Sequence, residues 1–382
     1  MSFVSAFNAL PETPSGLGQS PSLARFASLL DPLEPAALES LATESAATTR
    51  KHFGKTMRLF APLYLSNECV NNCQYCGFSR DNPILRTTLT VPQVVAEAAH
   101  LADLGFRHIL LVAGEHPRFV SDGYLEDCTA AIREFIPQVA LEVGPMETPE
   151  YARMVEAGCE GLVVYQETYD RGTYETLHTA GPKKNFDWRL ECPERAYEGG
   201  FRRIGIGALF GLSDWKMDAF RLAAHLDYLM RTCWKASFTI AMPRMRPAAG
   251  EFQVKQEHTL SDANFVKLVC AFRVCFPQVG IVLSTREPAA LRDSLIPLGV
   301  TTMSAGSHTE PGGYTGQGND DLHLTVKGRR VELDEKPEPC ATAEGQFSID
   351  DERTPAQVAD LLRGQGFDPV WKDWDRGILQ AS

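Results

Sequence analysis

The chain has 382 residues, 44% of them hydrophobic and 23% charged, with a formal net charge of −12 at pH 7, the balance of a folded protein with a sizeable core rather than a disordered one. An acidic chain without long like-charge blocks is repelled by nucleic acid and by anionic membranes, so a small-molecule substrate is the expected partner. No run of about 18 apolar residues occurs and the opening MSFVSAFNALPETPSG lacks the order of a signal peptide. A cytoplasmic protein is therefore expected, in which ten cysteines read as metal ligands, nucleophiles or core residues rather than as disulfides.

Residues 1–58 read as an N-terminal helical extension, a Pro-, Gly- and Ser-rich opening followed by an Ala/Leu/Glu segment from Pro35 to Ala47 suited to a helix. From about residue 60, short apolar runs alternate with longer amphipathic segments, as buried strands do with crossover helices. Strands are expected at Pro62–Leu65, His108–Ala113, Val139–Val143, Gly161–Tyr165, Arg203–Ala208, Ser237–Ala241, Gly280–Ser284 and Thr301–Ala305. Between them, helices are expected at Val91–Leu104, Gly123–Phe135, Pro149–Ala157, Lys216–Cys233, Ser261–Phe276 and Ala289–Leu295, with Ala180–Gly199 as the remaining crossover.

Eight such units make an α/β fold of the (β/α)8 TIM-barrel type the leading topology over residues 59–309, although an open doubly wound sheet has the same alternation. In either case chemistry belongs at the C-terminal ends of the strands. Residues 310–382 read as a C-terminal loop and helix extension closing the barrel. Glu310–Thr354 is rich in Gly, Pro, Asp and Glu and reads as long loops, a last helix spans Pro355–Gln365, and an aromatic tail, Pro369–Trp374, follows.

The loop after the first strand carries Cys69, Cys73 and Cys76 in Ser66-Asn-Glu-Cys-Val-Asn-Asn-Cys-Gln-Tyr-Cys-Gly-Phe78. Ten cysteines scattered at random would give about 0.007 such Cys-x3-Cys-x2-Cys sets. Three thiolates at these gaps can each hold one iron of a cubane and leave a fourth iron open. Clusters that only carry electrons generally have four cysteine ligands, and an open coordination position marks a catalytic metal. The competing reading is a zinc site completed by His52 or His116, within a non-catalytic iron–sulfur or zinc module that regulates a partner.

This cysteine motif, with Tyr75 before its last cysteine, resembles the signature of the radical S-adenosylmethionine enzymes. The resemblance runs from about Phe60 to Trp374 and is greatest to the tyrosine lyases called 2-iminoacetate synthases, through Pro62-Leu-Tyr-Leu-Ser-Asn67, Val112-Ala-Gly-Glu-His116, Tyr165-Gln-Glu-Thr-Tyr169, Trp188-Arg-Leu-Glu191, Gly205-Ile-Gly-Ala-Leu-Phe-Gly-Leu212, Leu283-Ser-Thr-Arg-Glu287, Pro311-Gly-Gly-Tyr314 and Val370-Trp-Lys-Asp-Trp374. It implies a [4Fe–4S] cluster and S-adenosylmethionine as cofactors. It implies also cleavage of the Cα–Cβ bond of L-tyrosine to 2-iminoacetate and p-cresol, a place in thiamine thiazole biosynthesis, a thiazole synthase as protein partner and a flavodoxin- or ferredoxin-type reductant. Tryptophan lyases share the cluster, the glutamate motif and the arginine. Biotin synthase and the hydrogenase-maturing tyrosine lyase carry further cluster cysteines that have no counterpart in the seven remaining here, Cys128, Cys159, Cys192, Cys233, Cys270, Cys275 and Cys340, which read as small buried residues.

The same resemblance distributes roles over the barrel mouth. Gly114 would let a ligand approach the backbone, and Glu115 would accept from the ammonium group of S-adenosylmethionine. Arg189 either pairs with Glu191 or Glu194, or offers its rigid fork to the cofactor's carboxylate. Glu167 and Tyr169, with Gln166, would border the ribose and substrate. Gly205, Gly207 and Gly211 serve either tight packing or a flat platform for adenine. Arg286 and Ser304, near Ser307, would take the substrate carboxylate, and Tyr64 would stand near its amine; a salt bridge of Arg286 with Glu287 or Asp293 is the alternative.

Overall fold

A computed structural model describes residues 3–10, 20–120, 123–326, 329–331 and 342–372. In chain order the strands are β1 (Thr56–Ser66), β2 (Ile84–Arg86), β3 (His108–Ala113), β4 (Gln138–Glu142), β5 (Gly161–Glu167), β6 (Arg203–Ala208), β7 (Ser237–Ala241), β8 (Gly280–Leu283) and β9 (Thr302–Ser304). Leaving β2 aside, these strands run parallel, each bonded to the next, and β9 returns to β1 through Arg58↔Thr302, Leu59↔Met303 and Phe60↔Ser304. That last pairing closes an eight-stranded barrel and removes the open-sheet alternative.

The outer helices form where the sequence caps an amphipathic run. Thr90 and Gln93 make a reciprocal capping box for helix Val91–Asp103, and the Ser261 hydroxyl caps Asp262–Cys275 through the Asn264 amide, each satisfying amides that a helix start leaves unpaired. The crossover expected at 180–199 is three short helices, Pro182–Lys184, Phe186–Leu190 and Cys192–Glu198. Pro182 and Pro193 favour new helix starts, and the Asn185 side chain accepts from the Trp188 amide.

Several elements differ from the sequence reading. β1 begins at Thr56, ahead of the expected start at Pro62, and runs across the 58/59 boundary. The helix expected at Pro35–Ala47 continues to Phe53, and two further helices, Phe3–Asn8 and Pro21–Leu29, pack on the barrel's outer helices. Phe3 stacks on His225 at 4.2 Å and Phe26 lies 4.4 Å from Phe272. The stretch read as long loops contains a hairpin, β10 (His323–Val326) with β11 (Arg329–Val331), and β10 pairs antiparallel with β2. After helix Pro355–Gly364, β12 (Asp368–Val370) pairs with Thr56–Arg58 of β1, and Trp371 meets the edge of Phe106 at 5.2 Å. Cys340 and Trp374 lie outside the described residues.

Alternation along the strands sends Ile109 and Leu111 to the helices and His108, Leu110 and Val112 to the barrel interior, so one set builds the outer core and the other lines the lumen. Gly161, Gly205 and Gly280 supply no inward side chains in the N-terminal half, where a cavity of about 680 Å³ remains. Phe60, Leu110, Tyr165, Ala241 and Val282 separate it from a smaller cavity at the C-terminal mouth. No helix among the described residues is long and apolar enough to cross a membrane.

Candidate active site

The cysteine loop leaves the end of β1 and is held by one fully buried side chain. Arg86 of β2 donates to the carbonyls of Asn67 (2.5 Å), Phe78 (3.0 Å), Ser79 (2.7 Å) and Asn82 (3.4 Å). Neighbouring segments grip the rest: the Val70 amide donates to Glu115 O (2.8 Å), Asn72 to Ala180 O (3.1 Å), Gln74 to Leu177 O (3.1 Å) and Gly77 to Gln346 O (3.0 Å). Beside Cys69, the Glu68 carboxylate is bonded at 2.5 Å to His323 of the hairpin. Backbone polar groups that would otherwise be stranded at the protein interior are thus paired from four directions.

Among the described residues no three His, Cys, Asp or Glu side chains are placed to hold one metal ion. A zinc ion needs its thiolates within about 2.3 Å of one point, an arrangement not found among the described residues. His52 lines the N-terminal cavity, away from the cysteine loop, and the His116 Nδ1 faces the amides of Arg118 and Phe119. Three thiols on one loop are a donor set that fits a cluster of several irons, each thiolate holding one iron. Asn71 Nδ2 lies 3.7 Å from Cys69 Sγ and Gln346 Nε2 3.9 Å from Cys76 Sγ, donors of the kind that tune such sulfurs. Burial pushes the Cys73 and Cys76 thiols up, and Lys183 pulls both the other way.

Next to the loop is a polar cradle. Glu167 ends β5 at a bulge and holds φ at 72°, the one described non-glycine residue with positive φ; such strain persists where the surroundings impose it. Its carboxylate binds Lys183 Nζ at 2.6 Å and lies 3.5 Å from Arg189 Nη2. Burial would push Glu167 up, but Lys183 and Arg189 hold it below the usual carboxylate range. Arg189 donates from Nε to Tyr165 O at 2.6 Å, so its partner is Glu167 rather than Glu191 or Glu194. Glu115 accepts from Asn71 Nδ2 at 2.7 Å. Tyr75 is pinned by its hydroxyl to His178 Nε2 (2.8 Å), and its ring lines the space beside Cys76.

Across the mouth, Tyr64, Glu142, Arg286, Ser304, Ser307 and Phe347 line a second cavity. The Arg286 guanidinium stacks 3.3 Å from the centre of the Phe347 ring and has no carboxylate in ion-pair range among the described residues. Glu287 pairs instead with Arg244 and Arg246, and Asp293 with Arg353. Ser304 Oγ accepts from the Thr285 amide (3.1 Å), whereas Ser307 Oγ is buried without a partner. Tyr64 donates to Gln346 Oε1 at 2.8 Å. Gln346 and Phe347 belong to a strap tied to the cysteine loop, to Thr309 and to Pro247 through Ser348.

One sequence assignment is corrected, and packing accounts for two glycines. Tyr169 faces outward, fully buried, with its hydroxyl on His225 Nδ1 (2.9 Å) and Phe7 against its ring, because the chain beyond the Glu167 bulge turns away from the mouth. A Cβ on Gly207 would lie 2.4 Å from Ala241 O and 2.6 Å from the Tyr165 ring, the tight packing that was one of its two sequence readings. On Gly114 a Cβ would lie 2.2 Å from Glu68 O, so the cysteine loop packs directly on this glycine. The other described cysteines are buried and free.

Glu142, Lys183, Asn71 and Gln346 were not picked out from sequence. Glu142 had a signal, an acid within the apolar run Val139–Val143. Gln346 had none, since its partners lie 270 and 282 residues away.

Comparison with known proteins places these features in context. Residues 63–223 match the family described as the radical SAM superfamily, and residues 241–368 match the biotin and thiamin synthesis associated domain. The chain is 40% identical over 355 residues to the 2-iminoacetate synthase of Escherichia coli (strain K12), covering 93% of this chain and 88% of that protein. The 2-iminoacetate synthase of Salmonella typhimurium is 39% identical over the same shares. The crystal structure of the [FeFe]-hydrogenase maturase HydG from Carboxydothermus hydrogenoformans superposes with a TM-score of 0.81 at 34% identity, over 93% of this chain and 77% of that one.

Proposed function

On the premise that this chain belongs to the radical SAM superfamily and, within it, to the 2-iminoacetate synthase family, we propose that it breaks the Cα–Cβ bond of L-tyrosine, releasing 2-iminoacetate and p-cresol. The enzyme is a radical SAM lyase that uses a [4Fe–4S] cluster and S-adenosylmethionine. When bound, the reduced cluster and S-adenosylmethionine supply a carbon radical that takes a hydrogen atom from the substrate. Cys69, Cys73 and Cys76 would each hold one iron. Glu115 would take the cofactor's ammonium, Arg189 its carboxylate and Glu167 its ribose hydroxyls, with Lys183 balancing the charge of Glu167.

The observation that carries the substrate assignment is the Arg286 guanidinium, held at the mouth by Phe347 without a carboxylate of its own. A fork of fixed donors is suited to a carboxylate, and Ser304 and Ser307 add hydroxyls beside it. Tyr64 keeps its phenol oxygen available as an acceptor for the substrate amine. Phe60, Leu110, Val112 and Phe347 line the same space and exclude water from a radical that would otherwise react with the wrong bond. The product imine is labile in water, which supports handing it to a thiazole synthase in thiamine biosynthesis, and a flavodoxin- or ferredoxin-type protein would supply the electron.

Anaerobic turnover of the reconstituted enzyme with L-tyrosine, and in parallel with L-tryptophan, tests the reading. p-Cresol and glyoxylate, the hydrolysis product of the imine, are expected from tyrosine. Products from tryptophan alone would overturn the choice of substrate and leave the class intact.

A further inference from the structure

We propose that the Glu142 carboxylate receives the α-ammonium group of the substrate, so that Glu142 and Arg286 hold the two charged ends of one amino acid across the barrel axis. This rests on the amino acid lyase reading above.

Topology sets the two groups opposite each other. In the closed order β1, β3, β4, β5, β6, β7, β8, β9, the strand carrying Glu142 and the strand preceding Arg286 lie four steps apart in either direction. Their side chains therefore enter the lumen from opposite walls. Both line the same two adjoining cavities, one of which also reaches Tyr75 and Cys76. They act on each other through space without forming an ion pair among the described residues. Two opposite charges that face each other and do not close leave room for a group carrying one of each, and an α-amino acid is such a group.

The burial cost points the same way. Glu142 ends a strand whose other residues are Gln138, Val139, Ala140 and Leu141, and no hydrogen bond to its carboxylate occurs among the described residues. A carboxylate lining a cavity without a hydrogen-bond partner is costly unless a ligand supplies one. The charged groups around it are Arg286, Arg189 and Lys183, which favour its anion, and Glu167, which opposes it, with the phenols of Tyr64 and Tyr165 alongside. Burial dominates and pushes it up to about 7.

The test measures equilibrium binding of L-tyrosine and of 3-(4-hydroxyphenyl)propionate, which lacks the amine, to the reconstituted full chain with S-adenosylmethionine and no reductant. The unmodified enzyme should prefer tyrosine by about ten- to hundred-fold, as for a charge-assisted hydrogen bond. Glu142→Gln should reduce that preference to within about three-fold while leaving the preference for tyrosine over phenylalanine unchanged. Glu142→Asp, which keeps the charge, should retain part of it. An intact amine preference in Glu142→Gln, or loss of the tyrosine-over-phenylalanine preference instead, overturns the proposal. Should the unmodified enzyme bind tryptophan and not tyrosine, the substrate reading fails, and tryptophan against indole-3-propionate then tests Glu142 in the same way.

Discussion

At the scale of single residues, the site depends most on Glu167, whose carboxylate stands between two cations at a strained backbone position. Its side chain is 10% exposed and those of Lys183 and Arg189 are 14% and 9% exposed, so removing the anion leaves two buried like charges side by side. Breaking a buried pair in this way costs about 3–5 kcal/mol. Glu167→Gln should therefore lower the thermal midpoint of the cofactor-free protein and weaken S-adenosylmethionine binding; an unchanged midpoint in thermal melts would contradict the ion-pair account. The cysteines, Arg189 and Arg286 were legible because their types and spacing carry chemistry along the chain. Lys183 was not, since one lysine in a polar crossover looks like any solvated charge until Glu167 is seen at 2.6 Å.

At the scale of elements, the strap at residues 345–348 joins the cysteine loop to the substrate cavity. The Gly77 amide donates to Gln346 O at 3.0 Å, and a Cβ on Gly77 would lie 2.5 Å from Gly345 O and 2.6 Å from Gln346 O. Gly77→Ala must push the strap away from the loop, because both obstacles are backbone atoms. With the strap go Gln346, the partner of Tyr64, and Phe347, the platform under Arg286. The variant should keep its iron and its basal cleavage of S-adenosylmethionine but need at least about ten-fold more tyrosine for half-saturation, the loss expected from about one charge-assisted contact. Steady-state kinetics and iron analysis check this. The eight barrel strands were legible from alternating apolar runs. The strap, the hairpin β10–β11 and β12 were not, because they are short, lack strong periodicity and gain their structure from partners far away in sequence, as Asp368–Val370 does from Thr56–Arg58.

Across the whole molecule, buried titratable groups set how stability responds to pH. Burial pushes His108, His178 and His225 down to about 3, so below the ordinary histidine value of about 6.5 the unfolded chain binds protons that the folded chain refuses. Stability from these groups is complete above that value and falls as pH drops. Asp218, pushed up to about 6, and Glu142, at about 7, act oppositely: the folded chain takes up their protons first, which partly offsets the loss down to the ordinary carboxylate range. Below that range the offset ends, and Glu167 and Asp351, both held low by cations, add their own loss. Thermal melts of the cofactor-free protein should show a shallow decline from pH 6.5 to about 4.5 and a steep one below; a midpoint that rises on acidification would contradict these assignments. The barrel itself was legible from the alternation alone, but its closure was not, since an open sheet repeats the same pattern and the contact between β9 and β1 decides the matter.

The most direct test of the central claim follows the bond said to break. Given L-tyrosine labelled with ¹³C at Cα, anaerobic turnover with S-adenosylmethionine and reductant should yield one labelled glyoxylate and one unlabelled p-cresol for each tyrosine consumed. Label found in the aromatic product, or S-adenosylmethionine cleavage that proceeds without any loss of tyrosine, would contradict it.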